Sequence, residues 1–454
     1  MKKNDIIKLK IDSIAAGGSG IGRADDGCAV FVPYTAQGDI ASVQILKVDK
    51  RCAFGKLNSL DTPSADRVET DCGSYGRCGG CNLRHISYQA ELRAKRGFVA
   101  DALSRIGGLN ADIADCLPSP DIERYRNKAQ YPVFNSENGL DFGFYSRRSH
   151  RVVHMDDCLL EPEIMHRTAR CACDILSDMG LSAYDEISHK GLVRHLLMRR
   201  SSNGDLLLCI VINGRSFKGE TEFANRLAGE IVEIKTVVIN ENTKPDNVIL
   251  GEHFRTIYGD GFIEDTLCGV PVRLYSPSFF QINKPSAELL YDEVFKFASP
   301  REGDTVLDLY CGAGTIGLSI AARVKLGTLI GAETVPEAVD AARLAAQRMG
   351  IANCEFLTAD AGAAAAEIAK HGLRPDIAIT DPPRKGCSPE TLDALLEMSP
   401  QKLVMVSCNA ATLARDLKYL TANGYTLGRV QPVDLFPRTG HIEVACTLVR
   451  SNDI

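Results

Sequence analysis

The chain of 454 residues contains no tryptophan, and aromatic residues make up only 6% of it. It has no surplus of positive charge: 52 Lys and Arg stand against 58 Asp and Glu, a formal net charge of −6. No global field therefore draws the chain to nucleic acid or anionic lipid, and any such contact has to be a local patch. Long apolar runs are missing too. Charges interrupt the N-terminal stretch Ile6-Ile7-Lys8-Leu9-Lys10, so no secretory core is expected, and no run approaches membrane-spanning length. These absences predict a cytoplasmic protein without a membrane partner. In that compartment 16 cysteines predict reduced thiols, metal ligands or a nucleophile, not a disulfide framework. The length predicts about two or three domains.

What is present is organised around Thr305-Val306-Leu307-Asp308-Leu309-Tyr310-Cys311-Gly312-Ala313-Gly314-Thr315-Ile316-Gly317, an apolar run, a glycine turn and the start of an amphipathic segment. This is the strand–loop–helix opening of a nucleotide-binding α/β domain, and its letters match the dinucleotide fingerprint G-x-G-x-x-G. Residues 305–310, 326–333, 354–358, 376–380, 402–407 and 442–449 read as strands, with helices such as 336–349 and 412–423 in the gaps. A helix is expected at 284–298 as well. The alternation predicts a doubly wound, Rossmann-like sheet that binds ligands at the carboxyl ends of its strands.

Those strand ends hold the candidate chemistry. Tyr310 closes the first strand, and Glu333 closes the second, where dehydrogenases and methyltransferases alike place an acid for ribose hydroxyls. Asp360 follows the third. The fourth runs into Asp381-Pro382-Pro383-Arg384, whose prolines stop the sheet and hold the carboxylate above its edge. A nicotinamide enzyme has no need of that arrangement. The fifth strand ends in Ser407-Cys408-Asn409 before a helix, where amide donors are expected to lower the thiol pKa. His441-Ile442-Glu443 opens the last strand. A thiolate, two carboxylates and a methyl donor are what C5 methylation of uracil requires. Carbon 5 becomes nucleophilic once a thiolate adds to carbon 6, and a base must later remove the carbon 5 proton. Cys408 reads as the nucleophile and Glu443 as the base, with Asp381 orienting the uracil beside the cofactor. The target base has to leave its stack to reach such a pocket.

Upstream, residues 7–11, 29–33, 40–45 and 53–57 read as short strands, with Gly17-Gly18-Ser19-Gly20-Ile21-Gly22 as a loop. They predict a small OB-like β-barrel over residues 1–60, and the segment resembles the TRAM domain, an RNA-binding module of RNA-modifying enzymes. Cys72, Cys78 and Cys81 follow at C-x5-C-x2-C, interleaved with glycines. Soft thiolates on such a loop suit a metal or an iron–sulfur cluster. Cys158 is the favoured fourth ligand, with Cys116, Cys171 and Cys173 open as rivals on spacing. Zinc ribbons bring two C-x2-C knuckles where this chain has one, which favours a 4Fe–4S cluster. Residues 84–107 read as a helix. Cations and aromatic rings interleave at Tyr125-Arg126-Asn127-Lys128 and from Phe142 to Arg151, and Lys190, Arg194, His195, Arg199 and Arg200 add to them. Such patches suit a single RNA strand or a charged sheet surface. Strands at 206–213 and 236–241 make residues 61–270 an α+β central domain, and the catalytic domain spans 271–454.

Taken together the chain resembles the RNA uracil-C5 methyltransferase family over essentially its whole length, and most closely the 23S ribosomal RNA branch that carries a TRAM domain and a 4Fe–4S cluster. The matching motifs are Cys72…Cys78-Gly79-Gly80-Cys81 with Cys158, Tyr125-Arg126-Asn127-Lys128, Phe280-Gln281-Ile282-Asn283, Asp308 to Gly314, Asp381 to Arg384, Ser407-Cys408-Asn409 and His441-Ile442-Glu443. The resemblance implies that Gln281, Tyr310, Glu333, Asp360 and Asp381 bind S-adenosylmethionine, that Cys408 is the nucleophile and Glu443 the base, and that Cys72, Cys78, Cys81 and Cys158 hold the cluster. It implies 23S ribosomal RNA as partner, transfer RNA as the alternative, and a monomer. One residue departs from the family pattern: Ala410 stands where proline commonly follows Ser-Cys-Asn, which removes no reacting group. A nicotinamide oxidoreductase and a catalytically idle iron–sulfur RNA-binding protein are the other two classes, and neither requires Cys408.

Overall fold

The computed structural model describes residues 1–451. By contact the chain divides into two compact units. One comprises Met1–Gly76, Cys81–Pro120 and the chain from Pro285 onward, and the other Arg77–Gly80 and Asp121–Lys284.

The first unit opens with β1 (Ile6–Ile14), β2 (Ser19–Arg23), β3 (Ala29–Pro33), β4 (Ile40–Val48) and β5 (Cys52–Thr62), closed into a barrel in the order β1-β2-β3-β5-β4. Period-two alternation turns Leu9, Ile11, Val30, Val32, Val43 and Ile45 into a core of its own. Strand β2 corrects the expected loop at 17–22. A Cβ at Gly20 would stand 2.1 Å from Thr35 Oγ1, and one at Gly22 would stand 2.2 Å from Lys10 O. These glycines admit close strand packing, a role that reads like a turn in sequence. Helix α1 (Tyr88–Ala102) is capped by Ser87, whose side chain accepts the Ala90 N–H, and it ends in a π turn at Leu103–Gly107.

The second unit holds β6 (Lys128–Ser136), β7 (Gly139–Tyr145), β8 (Val152–His154), α2 (Glu163–Asp178), β9 (Val193–Arg200), β10 (Leu206–Ile212), α3 (Glu220–Glu230), β11 (Ile234–Glu241) and β12 (His253–Tyr258). Its seven strands run β12-β11-β10-β9-β6-β7-β8, and β13 (Ile263–Leu267) with β14 (Val270–Leu274) forms a separate hairpin. Strand β10, Leu-Leu-Leu-Cys-Ile-Val-Ile, is buried at every residue, as a central strand covered on both faces must be.

The first unit then resumes with α4 (Lys284–Ala298), β15 (Thr305–Leu309), α5 (Thr315–Ala321), β16 (Thr328–Glu333), α6 (Pro336–Met349), β17 (Cys354–Thr358), α7 (Ala361–Lys370), β18 (Ile377–Thr380), α8 (Pro389–Met398), β19 (Lys402–Ser407), α9 (Ala410–Ala422), β20 (Tyr425–Val433) and β21 (Glu443–Arg450). The strand order is β17-β16-β15-β18-β19-β21-β20, parallel except for β21, which runs antiparallel to both of its neighbours. The order reverses between β15 and β18, which opens a crevice at their carboxyl ends. Strand β20 was not legible in the sequence. It carries Gly428 and Pro432, which read as breakers, and it tolerates them because it is an edge strand with a register shift between Leu427 and Val430. No helix among the described residues is long and apolar enough to cross a membrane.

Candidate active site at the carboxyl edge of the sheet

Parallel register carries the candidate residues to one edge. Leu309 pairs with both Ala332 and Thr380, so Tyr310, Glu333 and Asp381 each lie one residue beyond a shared rung. Ser407 pairs with Val444, which sets Cys408 beside Glu443. Asp360 follows β17 by two residues.

The first turn is tightly made. Tyr310 adopts a left-handed φ of 63°, and its hydroxyl hydrogen-bonds Thr391 Oγ1 at 3.0 Å. Gly314 caps α5 with φ 70°, and a Cβ there would stand 2.9 Å from the Phe356 ring and 3.0 Å from Ala342 Cβ. Only glycine meets both demands. Glu333 is locked by four bonds: Gly312 N donates to Oε2 at 3.2 Å, while Thr334 N, Thr334 Oγ1 and Val335 N donate to Oε1 at 2.7, 2.9 and 3.0 Å. Space beside the turn is open, since nothing lies within 4 Å of a Cβ built on Gly312. Asp360 is exposed and caps α7, accepting from Gly362 N at 2.9 Å and Ala363 N at 3.2 Å. Gln281 belongs to the second unit. Asn127 Nδ2 donates to its carbonyl at 2.8 Å, and Asn127 N donates to Ile282 O at 3.0 Å.

Burial dominates the titration of the edge. It pushes Asp381 up to about 6 and Glu443 well above the ordinary carboxylate range, Glu443 being pushed further by the Asp381 charge and held back by Arg384. Cys408 is half-buried. Burial first, then Glu443 and Asp381, raise its thiol to about 11 against the pull of Arg384. This corrects the expectation of a lowered thiol pKa. Helix α9 starts two residues later, and its free amide at Ala411 is taken by the Asn409 side chain. The same Asn409 donates through Nδ2 to Arg384 O at 3.0 Å, which ties the Asp-Pro-Pro-Arg loop to the cysteine loop. Ala410 occupies the first helical position, where proline is welcome but not required.

Two contributors were missed. Asp308 is fully buried, accepts Gly317 N at 2.9 Å, and is pushed up to about 7 by burial and by Asp381 and Glu333. Its signal was an acid inside an apolar strand. Asn409 gave a helix-cap signal that its role in joining two loops does not share.

Other expectations fare differently. Arg194 and Arg199, counted among RNA-facing cations, are 5% and 1% exposed and donate to main-chain carbonyls, Arg194 to Asn242 O at 2.9 Å and Lys244 O at 2.7 Å, Arg199 to Ser276 O at 3.3 Å. His195 is buried with them. Strand β9 is an inner strand buried on both faces, which charge spacing does not reveal. The expected metal site finds no counterpart. Among the described residues no group of three or more His, Cys, Asp or Glu could hold a metal ion. Cys72 and Cys81 lie in the first unit, and Cys78 and Cys158 in the second. The soft donor set and the Gly80 N–H donated to Cys78 Sγ at 3.4 Å suit a sulfide cluster by chemistry.

Known proteins supply the context. Residues 270–451 match the model for tRNA (uracil-5-)-methyltransferases, and residues 2–57 match the TRAM domain. A protein of Halalkalibacterium halodurans, named an uncharacterized RNA methyltransferase, is 37% identical over 100% of this chain and 98% of its own length. One of Listeria monocytogenes with the same designation is 38% identical over 99% of this chain and 98% of its own length. The crystal structure of the Pyrococcus abyssi tRNA (uracil-54, C5)-methyltransferase with S-adenosyl-L-homocysteine shares the fold, with a TM-score of 0.77 and 24% identity over 98% of this chain and 100% of that one. With these relatives the chain belongs to the RNA methyltransferase family, built from an N-terminal TRAM domain and a uracil-5-methyltransferase domain.

Proposed function

We propose that the protein transfers a methyl group from S-adenosylmethionine to carbon 5 of uridine in 23S ribosomal RNA. The observation that carries this reading is the juxtaposition of Cys408, Glu443 and Asp381 at one edge, where Asp381 raises both of the others and Glu443 raises Cys408. Tyr310, Glu333, Asp360 and Asp381 would hold the donor, which supplies an electrophilic methyl on a sulfonium. The Cys408 proton leaves first, to solvent at this half-buried thiol, since the thiol rests protonated at neutral pH. Sγ then bonds to carbon 6, and the electron pair released at carbon 5 takes the methyl. Glu443, acting in its ionised form, accepts the carbon 5 proton. That C–H pair restores the 5,6 double bond, the C6–S bond breaks, and sulfur departs as thiolate.

Transfer RNA is the second reading. The Pyrococcus enzyme matched over 98% of this chain is named for uracil-54 of tRNA, so the shared architecture does not by itself favour the ribosome. Mapping 5-methyluridine in ribosomal and transfer RNA from a strain lacking the protein decides between them. The mechanism is tested by Cys408→Ala, which should bind RNA yet neither methylate it nor trap 5-fluorouridine RNA covalently; full activity would refute it. A 4Fe–4S cluster on Cys72, Cys78, Cys81 and Cys158 belongs to the same proposal, in a structural role. Iron and acid-labile sulfide in anaerobically purified protein test it, and colourless protein with stoichiometric zinc would overturn it.

A further inference from the structure

Between β20 and β21 the chain makes a nine-residue excursion, 434–442, that ends on Glu443. The ladder fixes its two ends, since Val433 pairs with Glu443. Its middle is held by charges sealed from water. Lys95, on α1, is 0% exposed. Its ammonium reaches Asp434 Oδ1 at 2.7 Å, Glu91 Oε1 at 2.8 Å and Phe436 O at 3.0 Å, one acceptor for each of its three protons. The turn closes on that same Phe436 carbonyl. Thr439 donates to it through N at 3.1 Å and Oγ1 at 2.8 Å, and Thr439 Oγ1 accepts His441 N at 3.3 Å, two residues before Glu443. Glu91 Oε1 also accepts Arg438 N at 2.7 Å, and Tyr88 donates to Asp434 Oδ2 at 3.0 Å.

Stability alone does not call for such a cluster, because well-packed apolar side chains stabilise a buried site as well or better. Directional bonds do what apolar packing cannot: they select one arrangement of a turn that has no ladder of its own. A general base tolerates little displacement from the proton it removes. We propose that Lys95 is a positioning residue for Glu443, its ammonium fixing the 434–442 turn so that the carboxylate stands correctly against Cys408. This rests on the assignment of Glu443 as base.

The test exploits the order of bonds. Adduct formation and methyl transfer precede proton removal, so a displaced base leaves RNA attached to Cys408. Full-length protein is incubated with S-adenosylmethionine and ribosomal RNA from a strain lacking the protein, and denaturing gels read the attached fraction. Glu443→Gln and Lys95→Met should both accumulate adduct. Lys95→Met should lose about tenfold in turnover, with S-adenosylmethionine affinity within about twofold of the parent. A merely structural defect would instead lower donor affinity and adduct together. Wild-type turnover in Lys95→Met, or lost turnover without adduct at intact donor affinity, overturns the proposal. Should Lys95→Met fail to fold, Asp434→Asn decides by the same readouts, because it keeps one acceptor oxygen and the side-chain shape while removing the charge that faces Lys95; wild-type behaviour there overturns it equally. Free turnover by Glu443→Gln refutes the base assignment, and the Lys95 proposal with it.

Discussion

Two buried charged regions of the first unit solve the same physical problem in opposite ways. Around Lys95 the charges are paired: Glu91, Asp434 and Lys95 are all 0% exposed, the one ammonium stands between both carboxylates, and Arg438 lies 3.9 Å from Glu91. At the sheet edge they are not. Asp381 raises both Asp308 and Glu443, Arg384 offsets only Glu443, the Gly317 amide is what holds Asp308 back, and all three carboxyls are pushed toward the neutral form. A paired cluster fixes geometry. An unpaired one keeps protons loosely assigned, which is what a site that must move protons requires. Burial therefore has no single meaning for a charged residue, and the partners decide it.

The largest expected effect separates the regions by function. Cys408→Ala should lower methylation by about four orders of magnitude or more while leaving the melting temperature within a few degrees, measured by methyl incorporation and calorimetry. Substantial destabilisation would show that the edge also serves the fold. The converse holds for Lys95→Met. Leaving two buried carboxylates without their cation should cost about 3–5 kcal/mol in denaturant unfolding, and a neutral outcome would erase the contrast.

The pH dependence sharpens it further. A Cys408 thiol raised to about 11 is ionised only slightly at neutral pH. Its alkylation by iodoacetamide in the free protein should climb about tenfold per pH unit toward pH 11, and a plateau near pH 8 would contradict the burial argument. Smaller effects remain. Asn409→Ala removes a helix cap and the bond to Arg384 O, and should cost about 1 kcal/mol. Asp308→Asn keeps an acceptor for Gly317 N and should change stability near pH 4, where the folded acid is protonated, by less than about 1 kcal/mol. Because the folded pKa of Asp308 lies above its unfolded value, the native state binds its proton more tightly, and this residue's contribution declines as pH rises from about 4 to about 7. The Asn variant should lose that slope, as read by unfolding curves across the range.

The edge was legible because period and punctuation both reached the sequence. Apolar runs marked β15, β16, β18 and β19, and the polar residue ending each run was the one delivered to the edge. The barrel was legible for the same reason, apart from β2, whose glycines looked like a turn. Strand β20 hid behind Gly428 and Pro432. Arg194 and Arg199 misled because charge is visible in a sequence, whereas the cover over both faces of β9 comes from elements elsewhere in the chain. Lys95 and Glu91 are four residues apart on α1, a spacing that exposed helix faces share. Their partner Asp434 lies 339 residues away, and no local pattern announces it.

By itself the sequence determined the family, the barrel at its start and most of the strand and helix order of the last domain. Those follow from local rules: side-chain period, glycine and proline punctuation, and residue types suited to bond making. Only the tertiary structure decided which protons those groups hold at rest and which buried charges find partners. Both depend on desolvation and on neighbours brought from distant parts of the chain, so Cys408 is a protected thiol at rest and Lys95 a buried tie to the turn that carries Glu443.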